Sequence, residues 1–422
     1  MARKMKDSGI EWIGEIPEGW EVLAHKYIMH KEKSICEHYS GEDVISLTLN
    51  GVVKRDLENP FGKMPTTFDG YQFVDPNDLL LCLFDIDVTP RCVGLVKDYG
   101  VTSPAYSRFK IHSGFCNAYY NYLLRFIDDE KVFVHLSKNL RSSLTESDFG
   151  AIKTIVPPKA EQQRIADYLD NRTFEIDTLL SKARSSIEEY KKLKQAVITQ
   201  AVTKGVRGER EMKDSGVDWI GEIPVDWEIS RIKYVSIFEP SCDFRKLTPE
   251  TIITYSPMEC IKNGTFERRT SLYGNLAHTL TPFQNGDIVM AKVTPCFENG
   301  NIAIMNELQS GYGLGSSELF VFRPQNINTR YLFYWLQNKL FVHQACATMT
   351  GTGGLKRISP SFVKNCNIHY PSTAEQAQIA AYLDTKCAEI DRLIAKKEQL
   401  VKELERYKKS LIYEVVTGKR EV

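Results

Sequence analysis

Residues 5–21 read MKDSGIEWIGEIPEGWE, and residues 212–228 read MKDSGVDWIGEIPVDWE; four of the 17 positions differ. A second echo follows in the same order, AEQQRIADYLD at 160–170 and AEQAQIAAYLD at 374–384. The offsets are 212 − 5 = 207 and 374 − 160 = 214, so the interval between the echoes is seven residues longer in the second copy. The chain is therefore two tandem copies of one unit, with a strict frame and a divergent middle (22–156 and 229–370). Tandem copies imply two equivalent surfaces related by approximate two-fold symmetry. Such a molecule suits a partner that is itself nearly two-fold symmetric, and duplex DNA is the obvious candidate.

At 422 residues, two to three domains are expected. The hydrophobic fraction of 42% is enough for packed cores. Lys and Arg number 54 and Asp and Glu 54, which excludes a polybasic coat but not a local basic face. No apolar run reaches the roughly 18 residues a membrane span needs. The opening MARKMKDSG is no secretory signal, so a cytoplasmic protein is expected. The ten cysteines form no C-x-x-C pair and no zinc spacing, which reads as reduced thiols.

The segments 160–203 and 374–417 share a heptad register. One seam takes Leu169, Ile176, Ala183, Tyr190 and Val197, matched by Leu383, Ile390, Lys397, Leu404 and Leu411. The other takes Ile165, Arg172, Leu179, Ser186 and Leu193, matched by Ile379, Lys386, Leu393, Leu400 and Tyr407. That is a coiled-coil pattern. Pro157-Pro158 and Pro371 set the starts; Gly205 and Gly418 set the stops. Each helix has length for about 60 Å. Small residues in one copy stand against bulky ones in the other, so the helices are expected to pair with each other. Antiparallel pairing also brings the tail 418–422 towards Met1–Lys4.

The middles carry short β-branched and aromatic runs broken by Gly, Pro, Asn and Asp, which reads as strands joined by many loops. Asp78–Leu83 corresponds to Asp287–Ala291, Val88–Cys92 to Val293–Cys296, and Ser103–Phe109 to Ser316–Phe322. An aromatic helix is expected at 118–126 and again at 330–336. The fold class is mixed α/β (α+β): two globular domains with twisted sheets, separated by an antiparallel two-helix coiled coil, with an internal pseudo-two-fold.

Catalytic motifs do not assemble. Gly351–Arg357 lacks the G-K-[ST] ending of a phosphate loop, and Gly311–Gly315 has the wrong spacing for a dinucleotide fingerprint. Glu189-Tyr190-Lys191 lies within a heptad helix, where a solvated face explains it. The histidines offer no metal set. No catalytic residue and no metal ligand is assigned.

Binding features are stronger, because basic residues alternate with aromatics and amides in loop-like sequence. Copy one offers Lys54, Arg55, Arg91, Lys97, Tyr106, Arg108, Lys110 and Arg141. Copy two offers Lys262, Asn263, Arg268, Arg269, Lys292, Asn299, Asn301, Lys356 and Arg357. Arg reads guanine bidentately, Asn reads adenine, and Lys holds phosphates.

P-P-x-x-E-Q-x-x-I-A-x-Y-L-D at Pro157–Asp170, echoed with one proline at Tyr370–Asp384, resembles the specificity subunit of type I restriction–modification systems. W-I-G-x-I-P-x-x-W at Trp12–Trp20 and Trp219–Trp227 resembles the start of that family's target recognition domains. The resemblance implies target recognition domains at 1–156 and 209–370 and spacer helices at 157–208 and 371–422. Each domain would read one half of a split, asymmetric double-stranded site. The helices would act as a ruler and dock two modification (methyltransferase) subunits, with restriction (translocase-nuclease) subunits joining. S-adenosylmethionine, ATP and magnesium would belong to those partners, leaving this chain no cofactor and no enzymatic activity. A stand-alone nuclease with a coiled-coil arm and a symmetric protein–protein adaptor are the alternatives. Copy one has Ser142-Ser143-Leu144 where copy two has Gly353-Gly354-Leu355, so the glycine-rich loop is not common to both halves.

Overall fold

Proline cannot continue a helix backwards from its first turn, and glycine readily turns left-handed at a helix end. The two long helices obey both limits. They span Lys159–Lys204 and Thr373–Val416. Gly205 and Gly418 follow them with φ of 79° and 73°. The structure, a computed structural model, describes residues 3–49, 51–59, 65–137, 142–262, 264–277, 279–352 and 354–422. Contacts group the chain into two units: 1–183 with 399–422, and 184–398. Each unit therefore holds a stretch of both long helices. No described helix is long and apolar enough to cross a membrane.

The divergent middles fold alike. In the first unit a four-stranded sheet runs Val93–Leu95, Leu79–Leu81, Ser107–Ile111, Met29–Lys31. In the second the same order is Ile302–Ile304, Ile288–Ala291, Leu319–Pro324, Ser236–Phe238. The expected correspondence holds residue for residue: Leu79 faces Phe109, and Ile288 faces Phe322. A second sheet in each unit has one parallel pair, Val44–Thr48 with Gly100–Thr102 and Ile252–Ser256 with Tyr312–Gly315. The first unit adds an edge strand, Ile35–Cys36, that has no counterpart in the four-stranded sheet of the second among the described residues. The aromatic helices are Asn117–Asp129 and Thr329–Trp335. Frame strands close each unit: Glu21–Ala24 pairs with Lys153–Val156, and Glu228–Arg231 with Asn367–Tyr370.

The long helices pair antiparallel inside each unit. Lys408 bonds Asp177 at 2.6 Å in the first unit, and Lys194 bonds Asp391 at 2.7 Å in the second. The offset of 214 maps one pair onto the other. Facing residues therefore sum to a constant, 177 + 408 = 194 + 391 = 585.

One seam position differs from the expectation. Leu169, Ile176 and Ala183 are buried in one helix, and Leu383, Ile390 and Leu411 in the other. Leu404 packs against the first core and Tyr190 is half-buried. The second row holds only at its start, where Ile165 and Ile379 are buried as expected. Leu179, Leu193, Leu393, Leu400 and Tyr407 are exposed. Ala166, Thr173, Leu180 and Ile187 point inward instead, as do Ala380 and Cys387, one residue later in each heptad. The rows i, i+4 and i, i+3 are both helical neighbours, and here the i, i+4 row wins.

Two buried histidines mark the cores. His25 lies 4.6 Å from the Phe149 ring, and His369 stacks on Trp227 at 5.8 Å. Neither has a hydrogen-bond partner on its ring nitrogens. Burial lowers both pKa values to about 4; nearby carbonyls of Phe149 and Val202 oppose the shift without hydrogen-bonding. Between about pH 6.5 and 4 the unfolded chain binds these protons and the folded chain does not, so stability falls as pH falls through that window. The expected loss is about 2 kcal/mol per histidine at pH 5 relative to pH 7. Urea unfolding of wild type and His369→Phe at both pH values checks this, and the variant should show the smaller drop.

Candidate nucleic-acid interface

What ties a variable domain to a constant helix is visible in a set of repeated hydrogen bonds. Each helix opens with Glu-Gln, and the two side chains have separate partners. Glu161 accepts from Trp20 Nε1 at 3.0 Å and pairs with Arg3 at 2.7 Å. Its equivalent Glu375 pairs with Arg210 at 2.6 Å, and Arg3 + 207 = Arg210. Gln162 bridges the Cys116 N–H (2.9 Å) and the Pro157 carbonyl (2.8 Å). Gln376 bridges the Asn328 N–H (2.8 Å) and the Pro371 carbonyl (2.9 Å). Both amides thus sit at the N-terminus of the aromatic helix, where backbone N–H groups lack helical partners.

The aromatic helix returns the contact through a Tyr-x-x-Tyr pair. Tyr119 donates to the Val416 carbonyl at 2.9 Å, and Tyr122 to Asp170 at 2.7 Å. Tyr331 donates to the His369 carbonyl at 2.9 Å and lies 3.3 Å from the Val202 carbonyl, and Tyr334 donates to Asp384 at 2.7 Å. One short helix therefore touches both long ones. Sequence reasoning saw an aromatic helix there and missed these four hydroxyls; their spacing of three, repeated in both copies, was the available signal. At the tail, Lys419 donates to Ile13 O at 2.9 Å, which brings residues 418–422 onto the opening frame as the antiparallel pairing predicts.

The candidate DNA-binding residues are distributed less simply. Arg108 is 1% exposed, its guanidinium held by Asp78 and Asp75 at 2.5 Å each and by the Phe73 carbonyl at 3.0 Å. It is a core ion pair and is not placed to touch a ligand. Burial pushes the Asp78 carboxyl above its ordinary range, with Arg108 opposing. The second unit repeats the device with Asp287 and Arg323 at 2.8 Å.

Most other candidate cations are paired within the protein. Lys54 meets Asp43 at 2.7 Å, and Lys110 meets Glu32 at 3.1 Å. Arg91 bonds the Leu49 carbonyl at 3.0 Å and lies 3.6 Å from Asp129. Arg268 pairs with Glu307, Arg269 with Glu267 at 2.9 Å, and Arg357 with Glu318 at 2.6 Å. Lys292 lies 3.6 Å from Glu239 and over the Phe320 ring. Arg55 and Tyr106 are half-buried. Lys97 and Lys356 are exposed. Lys262, Asn299 and Asn301 come together in one cleft with Met258, Glu259 and Cys296. Arg141 and Asn263 lie outside the described residues, as does Gly353. The rest of that glycine-rich loop is anchored: Thr294 Oγ1 donates to the Gly354 carbonyl at 3.0 Å and accepts from Lys356 N at 2.9 Å.

Several known proteins are similar to this chain. Residues 224–406 match the type I restriction modification DNA specificity domain. The EcoEI specificity subunit of Escherichia coli is 32% identical over 163 residues, 37% of this chain and 27% of that protein. The match thus spans about a quarter of that relative's length. The MjaVIII specificity subunit of Methanocaldococcus jannaschii is 26% identical over 282 residues, 64% of this chain and 63% of that protein. A solved chain from work on assembly of a type I R-M system aligns over 96% of this chain and 99% of its own, with TM-score 0.70 and 14% identity. The HsdS subunit from Thermoanaerobacter tengcongensis covers 96% of this chain and 98% of its own, with TM-score 0.50 and 15% identity. At such identities the structural likeness is one of fold. The domain match covers the second copy, and the first copy repeats its frame; residues 224–406 match a type I restriction modification DNA specificity domain, and the chain is similar in sequence to specificity subunits of type I restriction enzymes.

Proposed function

We propose that this chain reads a split, asymmetric DNA site, one half with each unit, and performs no chemistry itself. One observation carries the proposal: the two units share sheet order, frame and helix contacts while their middles differ in sequence. Equal scaffolds with unequal faces suit two different half-sites. The long helices supply the fixed spacing, and their exposed apolar rows supply a docking face for partners. Leu179, Leu400 and Tyr407 form that row in the first unit, and Leu193 and Leu393 in the second. Apolar side chains at heptad spacing outside a filled seam fit further helices. Two modification subunits would occupy them, with restriction subunits joining. S-adenosylmethionine, ATP and magnesium are then the partners' cofactors.

The test is methylation profiling of DNA from cells that carry this chain with a modification partner, beside each component alone. Methylation at a bipartite site should need both. Methyl transfer or cleavage by the purified chain alone would overturn the proposal. Exchange of residues 229–370 for the equivalent domain of a relative should change one half-site and leave the other unaltered. A swap that altered both half-sites would show that the units do not read independently.

A further inference from the structure

A surface that reads sequence must differ between the two units, because the half-sites differ. A surface that is the same in both must meet something that is the same at both ends. One exposed patch meets that description. Tyr27 is 60% exposed and Tyr234, 207 residues on, is 63% exposed. Each has the preceding lysine's Nζ over its ring at 5.1 Å: Lys26 in the first unit, Lys233 in the second. The pair opens each divergent middle, immediately after the frame strand. Lys233 is fixed further by a 2.9 Å bond to Asn365 Oδ1. Lys153 stands opposite Ala24 on the paired frame strand, and Arg231 opposite Asn367 on its equivalent. Lys26, Tyr27, Lys153 and Arg231 are all exposed.

Charge identifies the partner. The chain has no net charge, and most of the cations in its middles are taken up by internal acids. Lys26, Lys153, Arg231 and Lys233 make no ion pair among the described residues. Binding to a polyanion depends on cations free to displace its counterions. A tyrosine ring beside a lysine adds a flat apolar surface next to the charge. We propose that these repeated Lys–Tyr patches, with Lys153 and Arg231, grip the phosphodiester backbone of duplex DNA at both ends of the site without regard to base sequence. This rests on the DNA-reading function proposed above.

The experiment uses the chain assembled with its modification partner. Binding to a duplex carrying the methylated site, and to a scrambled duplex of equal length, is followed by anisotropy across a salt series. Lys26→Ala/Lys153→Ala, Arg231→Ala/Lys233→Ala and the four-fold variant are compared with the unsubstituted complex. The variants should weaken both duplexes by the same factor. The magnitude of the slope of log affinity against log salt should fall by about 0.9 for each phosphate no longer neutralised, and the methylated sequence should not change. An unchanged slope would overturn the inference. So would a loss confined to the specific duplex, which would mark base reading. Release of the partner subunit with the slope unaltered would do the same, since the patch would then hold protein. If the unsubstituted complex shows no preference for its site, the DNA-reading proposal falls and this one with it; preference retained with an unaltered slope removes this one alone.

Discussion

Replacing Arg108 with alanine is expected to destabilise the first unit by about 3–5 kcal/mol, the usual result of breaking a buried pair and stranding its partner. Asp78 is 2% exposed and depends on the Arg108 Nε bond. It also accepts from the Asp75 N–H, which holds the turn into the central strand Leu79–Leu81. Removing the guanidinium leaves a buried carboxyl without its charge partner, and the turn it braces loosens. Hydrogen exchange should report the loss across residues 71–111 while the second unit keeps its protection. The double variant Asp78→Asn/Arg108→Met should recover part of the stability, because no buried charge is stranded. A stable Arg108→Ala protein with an altered half-site would show that this arginine reads DNA after all.

Removing one heptad from both long helices should move the half-sites closer and leave their sequences intact. Facing residues sum to 585, so residues 184–190 must be removed together with 395–401. The cut shortens the helical path by about 10 Å. At roughly 3.4 Å per base pair the unread spacer should shrink by about three pairs. Seven residues are close to two full turns, so the seam rows stay in line. Methylation sequencing gives the spacer directly. A changed half-site with an unchanged spacer would refute the ruler. Deleting the heptad from one helix alone should shift one ion pair out of register and cost assembly.

The frame was legible because it is written twice. Helix limits followed from Pro157-Pro158, Pro371, Gly205 and Gly418, whose backbone preferences hold without tertiary help. The second seam row was not legible. Leu179, Leu193, Leu393 and Leu400 are as apolar as the residues that displaced them, so each helix carries a stripe wider than one seam. Lys194 and Lys408 also sit in the true inward row, and their charge disguised it; each is half-buried and paired across the helices. Arg108 escaped for a related reason. A basic residue in a loop-like stretch reads as surface, and only the folded sheet brings Asp75 and Asp78 to it. The Glu-Gln and tyrosine contacts were hidden because their partners lie tens to hundreds of residues away.

The Glu-Gln and Tyr-x-x-Tyr bonds work like a standard socket. Gln162 and Gln376 grasp backbone groups, and Tyr119 and Tyr331 donate to backbone carbonyls. Backbone is the same whatever residue carries it. A newly acquired domain that brings the same helix start and two tyrosines keeps these bonds, and apolar packing of its aromatic helix on the long helices completes the joint. Recombination at the echoed segments would then produce working hybrids far more often than point substitution, and new specificities would arise by exchange of whole cassettes.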